Sequence, residues 1–214
     1  MPGRLTPLVN DEYYHIFNRG NDKRNIFRQS RDYSRFQETI YYYQFPGPKQ
    51  KLSDFSRQKL HLFTPPQDAK LIEVISYCLM PNHFHLLIRQ QKDGGIAHFM
   101  SKLSNSYTKY FNTKYQRVGA LFQGSFKSVL VKNDEQLMHL SRYIHLNPVV
   151  ANLTKVPEAY PWSSYHEYLN EQSSLSSTKE VLALFSSRAD FQSFHTDHID
   201  YALSLDLLKH HLLD

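Results

Sequence analysis

Two histidines one residue apart, and a tyrosine further along the chain, are the residues best suited to chemistry. His83 and His85 flank Phe84 at the start of an apolar run. In an extended strand successive side chains alternate, so both imidazoles share one face and Phe84 points to the other. Such a pair also occurs as two partly exposed histidines on an ordinary strand, so the choice between these interpretations depends on partner residues.

Candidate partners lie in the segment that precedes Pro148. Tyr143 and Asn147 are four residues apart, a spacing that puts both side chains on one face of a helix. A tyrosine that attacks a phosphodiester needs its negative charge neutralised, which a divalent cation can do. His83, His85 and Asn147 are ligands compatible with magnesium or manganese, although imidazole also suits zinc. A tyrosine and an amide could therefore face the two histidines together.

Three other tyrosines, Tyr107, Tyr110 and Tyr115, also follow the histidines and compete with Tyr143 for this role. Tyr107 and Tyr110 fall on an apolar helical stripe and are predicted to be core residues. Tyr115 lies at the predicted helix end. Residue pattern alone leaves these alternatives open.

Five motifs, in order, resemble the single-tyrosine HUH (His-hydrophobic-His) transposases, and most closely the REP-associated tyrosine transposases of bacteria. The resemblance spans roughly residues 12 to 168. The motifs are His15-Ile16-Phe17-Asn18-Arg19-Gly20-Asn21, Met80-Pro81-Asn82-His83-Phe84-His85, Leu121-Phe122-Gln123-Gly124, Tyr143-Ile144-His145-Leu146-Asn147-Pro148-Val149 and Pro161-Trp162-Ser163-Ser164-Tyr165.

The resemblance implies a role for each matching residue. His83 and His85 would be metal ligands, Asn147 the third ligand and Tyr143 the residue that takes a 5′-phosphate. Related transposases often have Gln at the position of Asn147. Ser125 departs from the family, which commonly has Arg after the Leu-Phe-Gln-Gly turn, and this departure weakens any DNA contact inferred there.

The expected activity is that of a metal-dependent, single-stranded DNA endonuclease and strand transferase. It would cut beside a DNA hairpin through a covalent 5′-phosphotyrosine and leave a free 3′-OH, with Mg²⁺ or Mn²⁺ as cofactor; the resemblance supplies the hairpin. Two alternatives are a domesticated protein that binds such hairpins without transposing, and a metal phosphodiesterase that does not use the tyrosine. Relatives act as monomers or homodimers, and both states stay open.

Composition agrees with a polyanionic partner. Lys and Arg number 25 against 20 Asp and Glu, and the pI is about 9.1. Phosphate contacts are expected from basic residues near the predicted site elements. These are Arg19, Lys23, Arg24, Arg28, Lys102, Lys109, Lys127 and Lys132. The single Cys78 is predicted to pack in the core, and we expect a cytoplasmic, nucleoid-associated bacterial protein without a secretory signal or membrane span.

Hydrophobic periodicity predicts an α+β fold with an antiparallel sheet and helices packed on one face. The resemblance implies a ferredoxin-like or RRM-like sheet. Predicted strands cover 13–17, 71–79, 83–88 and 126–131, and predicted helices cover 31–44, 96–115 and a segment that begins at Asn133 or Asp134 and stops after Asn147. The Pro-rich stretch 46–69 is expected to be an insertion.

The chain is predicted to divide into a catalytic domain at 1–168 and a linker with a helical tail at 169–214. Weak helical patterns occur at 181–185 and 201–213. The tail histidines, among them His195, lack a recognisable ligand spacing and are predicted to lie on the surface.

Overall fold

A computed structural model describes residues 7–46, 52, 69–170 and 175–203 of the chain. Most of the Pro-rich insertion predicted at 46–69 lies outside the described residues. So does most of the helix predicted at 201–213.

Four strands form one antiparallel sheet, β1 (Tyr13–Arg19), β2 (Ile72–Met80), β3 (His83–Gln90) and β4 (Lys127–Val131). Their order across the sheet is β2-β3-β1-β4, and each neighbouring pair is antiparallel. β2 and β3 form the predicted hairpin, so the histidine strand lies inside the sheet. The predicted α+β fold with a ferredoxin-like sheet is confirmed.

A helical stretch covers 199–203, and six further α-helices lie wholly within the described residues. They are α1 (Ser30–Tyr43), α2 (Gly95–Lys114), α3 (Asp134–Val150), α4 (Tyr165–Leu169), α5 (Lys179–Leu182) and α6 (Arg188–Thr196), with 3₁₀ turns at Asn21–Lys23 and Pro157–Ala159. Among the described helices, none combines the length and apolar character that crossing a membrane requires.

One face of the sheet packs against α1 and α2, as predicted. Alternate residues of β3, Phe84, Leu86 and Ile88, are fully buried on this face. The helices contribute Phe36, Ile40, Phe99, Leu103 and Tyr107 to the same core.

The opposite face is also partly covered, which the prediction of helices on one face did not include. Ile75, Cys78 and Leu87 of the sheet form a second core with Leu137 and Ile144 of α3. Cys78 is fully buried there, as expected. The β2 and β3 runs are apolar at successive positions because both of their faces are buried along much of their length.

The prediction that α3 stops after Asn147 is wrong, because the helix continues to Val150 with Pro148 inside it. Pro148 lies in the last turn, where its fixed φ is compatible with a helix and only one backbone hydrogen bond is lost. Ala151 N still donates to Asn147 O at 2.9 Å. At the other end, Asn133 caps the helix by accepting a hydrogen bond from Gln136 N.

The C-terminal helix α6 packs against α3, and His195 is fully buried there, so its predicted surface position is wrong. His145 Nδ1 lies 3.1 Å from His195 Nε2, and His195 Nδ1 donates to Phe191 O at 2.8 Å. A histidine whose two ring nitrogens both have protein partners can be buried without an unsatisfied polar atom. Hydrophobic periodicity does not predict the burial of His195, because histidine does not count as an apolar residue in such a pattern.

Candidate active site

The two central strands place the histidine pair on the face of the sheet that α3 partly covers. His85 lies opposite Phe17 of β1, and His83 lies opposite Arg19. The rings of His83 and His85 have centroids 5.0 Å apart and are nearly perpendicular. The two imidazoles therefore lie on the same face of the sheet, as strand alternation predicts.

Helix α3 brings Tyr143 to these imidazoles. Ile144 and Leu137 anchor the helix on the second core, and Tyr143, next to Ile144 in sequence, stays 51% exposed. The ring centroids of Tyr143 and His85 are 5.5 Å apart in an edge-to-face arrangement. The tyrosine thus combines a fixed position with an accessible hydroxyl.

These side chains line a cavity of about 580 Å³. Its lining residues are Phe17, Asn18, Arg19, Lys23, Asn82, His83, His85, Gln123, Lys127 and Tyr143. Three of them are cations and none is a carboxylate. Such a lining favours an anionic ligand with more than one negative oxygen, such as the phosphates of a nucleic acid.

Both imidazoles of the pair stay neutral at neutral pH. Burial lowers the pKa of His83 to about 4, with a further contribution from Arg19. Burial also lowers the pKa of His85 well below its ordinary value, and His83 and His15 add to this. Neutral imidazole is the form that binds a metal ion.

Hydrogen bonds leave the Nε2 atom of His83 as a free electron-pair donor. Its Nδ1 lies 2.6 Å from Asn82 Oδ1, an oxygen that can only accept. Asn82 Nδ2 donates to Lys23 O at 3.3 Å, which agrees with this orientation of the amide. His83 therefore carries its proton on Nδ1.

A third histidine, His15 of β1, was not predicted as a site residue. Its Nε2 lies 2.9 Å from His85 Nδ1, and the two rings are stacked with centroids 5.1 Å apart. Its ring also contacts Tyr143 edge to face, at 6.1 Å. A sequence signal existed, since His15 opens the first motif, but its partner is distant in the chain and becomes adjacent only through the pairing of β1 with β3.

Asn147 lies one helical turn from Tyr143 but does not line the cavity. Its Nδ2 donates to Tyr143 O at 2.8 Å, so Oδ1 is the amide atom with ligand character that this bond leaves. Among the described residues, no group of three His, Cys, Asp or Glu side chains is arranged to hold a metal. The metal ligands that the sequence predicts are the imidazoles of His83 and His85 and the amide of Asn147.

The competing tyrosines have structural contacts. Tyr107 is buried, and its hydroxyl donates to Ile26 O. Tyr110 and Tyr115 donate to the buried carboxylate of Asp32 at 2.9 and 2.7 Å. None of the three lines the cavity with the histidines, which favours Tyr143.

The predicted basic residues separate into groups. Arg19, Lys23 and Lys127 line the cavity. Arg24 and Arg28 follow β1 and lie near Arg117. Burial lowers the pKa of Arg117, and the positive charges of Arg24 and Arg28 lower it further. The other three lysines are exposed and do not line the cavity. Lys102 and Lys109 belong to α2, on the opposite face of the sheet. Lys132 follows the end of β4 that is remote from Lys127.

Two of the motifs meet at the cavity. Gln123 N donates to Arg19 O at 2.8 Å, and Arg19 Nε donates back to Gln123 Oε1 at 2.5 Å. Asn18 Nδ2 also donates to Gly124 O. The Leu-Phe-Gln-Gly turn thereby holds the Arg19 side chain beside His83.

Comparisons with known proteins agree with these observations. Residues 50–147 match the family described as Transposase IS200 like. A Haemophilus influenzae protein provisionally named a REP-associated tyrosine transposase is 26% identical over 128 residues, which cover 55% of this chain and 73% of that protein. These matches confirm the resemblance that the motifs indicated. Over these segments the chain is similar to a REP-associated tyrosine transposase.

Solved structures support the fold. A REP-associated tyrosine transposase bound to a REP hairpin has a TM-score of 0.53 at 15% identity, covering 79% of this chain and 86% of that one. A provisionally named transposase from Deinococcus radiodurans R1 is 14% identical, covering 67% of this chain and 95% of that one. Its TM-score of 0.38 is too low to support an argument.

Proposed function

We propose that this protein is a metal-dependent endonuclease and strand transferase that acts on single-stranded DNA beside a hairpin. The observation that carries this proposal is the cavity in which Tyr143 meets His83 and His85 beside Arg19, Lys23 and Lys127. The REP hairpin bound to the structural relative supports a hairpin as the DNA partner. Catalytic function is assigned to 1–168, with 169–214 as linker and tail.

Tyr143 is the proposed nucleophile. Its hydroxyl oxygen forms a bond to phosphorus, the bond from phosphorus to the 3′-oxygen breaks, and the tyrosine keeps the 5′-phosphate. The phenol loses one proton and the departing 3′-oxygen gains one, so the exchange is balanced without hydrolysis. The exposed position of Tyr143 suits attack on a phosphate in a flexible strand better than one in a stacked duplex.

His83 and His85 are the proposed metal ligands, and Asn147 is the proposed third. Two neutral imidazoles on one face of the sheet fit a divalent cation, although Asn147 would have to turn its Oδ1 toward them. Mg²⁺ or Mn²⁺ would polarise the phosphoryl oxygen and offset its charge. Because no carboxylate lines the cavity, the DNA phosphate itself supplies the negative charge that the cation needs.

The cations of the lining hold the DNA backbone. Arg19, fixed by Gln123, and Lys23 and Lys127 are the residues proposed to contact phosphates on either side of the cut. Arg24 and Arg28 extend this basic surface beyond the cavity. Contacts by Lys102, Lys109 and Lys132 would require the DNA to leave the cavity face.

The test is covalent capture with a labelled hairpin that has single-stranded flanks, with Mg²⁺, with Mn²⁺ and with neither. We expect a labelled protein band in denaturing electrophoresis, dependent on metal, and none with Tyr143→Phe, which keeps the ring but lacks the nucleophile. Hairpin binding should survive in that variant. Tyr201→Phe, at another exposed tyrosine, is the matched control.

The outcomes separate the alternatives. Binding without any adduct or cleavage in the wild type would indicate a DNA-binding protein that does not transpose. Metal-dependent cleavage that persists in Tyr143→Phe would indicate a phosphodiesterase that does not use this tyrosine.

A further inference from the structure

His15 lies behind the candidate ligand His85. Its ring stacks on His85 and contacts Tyr143, yet it is not among the cavity-lining residues. Phe17 is directly opposite His85 in the sheet, and His15, two residues earlier on the same face, occupies the diagonal position. The pairing of β1 with β3 therefore fixes the contact.

The hydrogen bond between the two rings has a direction. A neutral imidazole has one N–H donor and one nitrogen with a free electron pair. If His15 Nε2 donated to His85 Nδ1, the proton of His85 would lie on its Nε2, and that atom could not bind a cation. If His85 Nδ1 donates to His15 Nε2, the electron pair of His85 Nε2 is free.

His83 shows the same arrangement with an unambiguous partner. Asn82 Oδ1 accepts from His83 Nδ1, which leaves Nε2 of His83 with its electron pair. Both histidines of the pair thus engage their Nδ1 atoms with a neighbour, at 2.6 Å and 2.9 Å. A site in which both Nε2 atoms serve one ligand needs the same tautomer in both rings.

We propose that His15 is a positioning residue that accepts a hydrogen bond from His85 Nδ1 and so holds His85 in the tautomer whose Nε2 can bind the metal. This inference rests on the proposed function, because it takes His85 as a ligand. Histidine ligands of metals regularly donate their other ring N–H to such a partner, and the partner orients the ring. Here a neutral histidine, instead of a carboxylate, has that role, which keeps negative charge away from the entering phosphate.

The tautomers can be observed directly in the metal-free, full-length protein. Long-range ¹H–¹⁵N correlation NMR distinguishes a protonated from an unprotonated ring nitrogen. We expect the proton on Nδ1 in His15, His83 and His85. A proton on His15 Nε2, or exchange of His85 between both tautomers, would overturn the inference.

Metal affinity gives a second readout, independent of cleavage. All proteins carry Tyr143→Phe so that the DNA stays intact, and Mn²⁺ is titrated by electron paramagnetic resonance with hairpin DNA present. His15→Phe keeps an aromatic ring without an acceptor, and we expect about 10- to 100-fold weaker Mn²⁺ binding. His15→Gln offers an acceptor oxygen at similar reach and should restore most of the affinity.

His98→Phe is the control, since His98 is exposed on α2. Unfolding in urea checks that each variant is folded. If His15→Phe binds Mn²⁺ as tightly as the parent, the inference fails while the proposed function stands. If the parent binds no Mn²⁺, the proposed metal site fails, and the NMR result still decides whether His15 fixes the tautomer of His85.

Discussion

The imidazoles of the cavity are suited to a cation that arrives with its substrate. Burial keeps His83 and His85 neutral, and the cationic lining opposes a free divalent ion. If the proposed metal binds here, a DNA phosphate beside it and the lysines would reduce that repulsion. Metal and DNA should therefore strengthen each other's binding, since coupling between two ligands is reciprocal.

Replacing either proposed ligand tests the site at the scale of one residue. We expect His83→Ala or His85→Ala to lower metal-dependent cleavage at least about 100-fold at low Mn²⁺, because a two-imidazole site loses half of its neutral nitrogen donors. Hairpin affinity measured without metal should change little. The measurement is single-turnover cleavage against Mn²⁺ concentration, with His98→Ala as control. Cleavage equal to wild type at limiting metal would contradict the assignment.

The sequence predicted the candidate site residues that line the cavity but not the residues that hydrogen-bond to them. His83, His85 and Tyr143 could be found because strand alternation and motif order are local properties of the chain. His15 and Gln123 act through partners that are distant in sequence, His85 and Arg19. Such contacts depend on strand order and loop docking, which periodicity does not specify.

At the scale of elements, one buried carboxylate joins the two helices of the first core. Asp32, fully buried in α1, accepts from Lys114 Nζ at 2.6 Å and from Tyr115 Oη at 2.7 Å, both at the end of α2. It also accepts from the backbone of Arg28 and Gln29 at the start of α1. Burial would raise the pKa of Asp32, but these hydrogen bonds lower it below its ordinary value.

Asp32→Asn should therefore destabilise the protein by about 3 kcal/mol, because it leaves Lys114 beside a neutral amide and replaces an acceptor oxygen with a donor. Asp22→Asn is the matched control. Asp22 is 74% exposed and pairs with Arg24, so its loss should cost less than about 0.5 kcal/mol. Urea unfolding of both variants gives the difference, and equal effects would refute the role of Asp32 at this junction.

The contact between α3 and α6 should make stability depend on pH. Burial lowers the pKa of His145 well below its ordinary value, and burial lowers the pKa of His195 to about 4. Both histidines titrate near pH 6.5 in an unfolded chain, so below that pH the unfolded state binds protons that the folded state does not. The free energy of unfolding should then fall as the pH drops from about 6.5 toward 4.

Urea unfolding at pH 7 and pH 5 measures this effect. His195→Gln keeps an acceptor for His145 and removes one titrating group, so the difference between the two pH values should shrink. His98→Gln, at an exposed histidine, should leave the difference unchanged. Equal stability of the wild type at both pH values would contradict the prediction.

Most elements were predictable, and the errors have physical causes. The strands and α1 to α3 carry alternating or helical apolar patterns of sufficient length. The sequence predicts that Pro148 ends α3, yet a proline in the last turn of that helix costs little. Helix α6 is short, and its buried positions are Phe191 and His195. A histidine that is buried because it has hydrogen-bond partners gives no signal in a hydrophobic pattern.

For the whole molecule, the sheet separates two surfaces of different character. The cavity face presents His83, His85 and Tyr143 with Arg19, Lys23 and Lys127, whereas α2 carries Lys102 and Lys109 on the other side. Net charge alone, 25 basic against 20 acidic residues, does not tell these faces apart. Only the fold decides which lysines can contact a DNA strand in the cavity.

The dependence of DNA binding on salt distinguishes the two surfaces. Neutralising a phosphate releases counterions, so log affinity falls with log salt by roughly 0.7 to 0.9 for each contact. The double variant Lys23→Gln with Lys127→Gln should flatten this slope by about that amount per lysine. Lys102→Gln with Lys109→Gln removes the same charge from the opposite face and should leave the slope near that of the wild type.

Fluorescence anisotropy with a hairpin that has single-stranded flanks, from low to physiological salt, gives all three slopes. Equal flattening by both double variants would mean that the DNA wraps beyond the cavity face. An unchanged slope in the first variant would remove Lys23 and Lys127 from the DNA path, even if Tyr143 still forms its adduct.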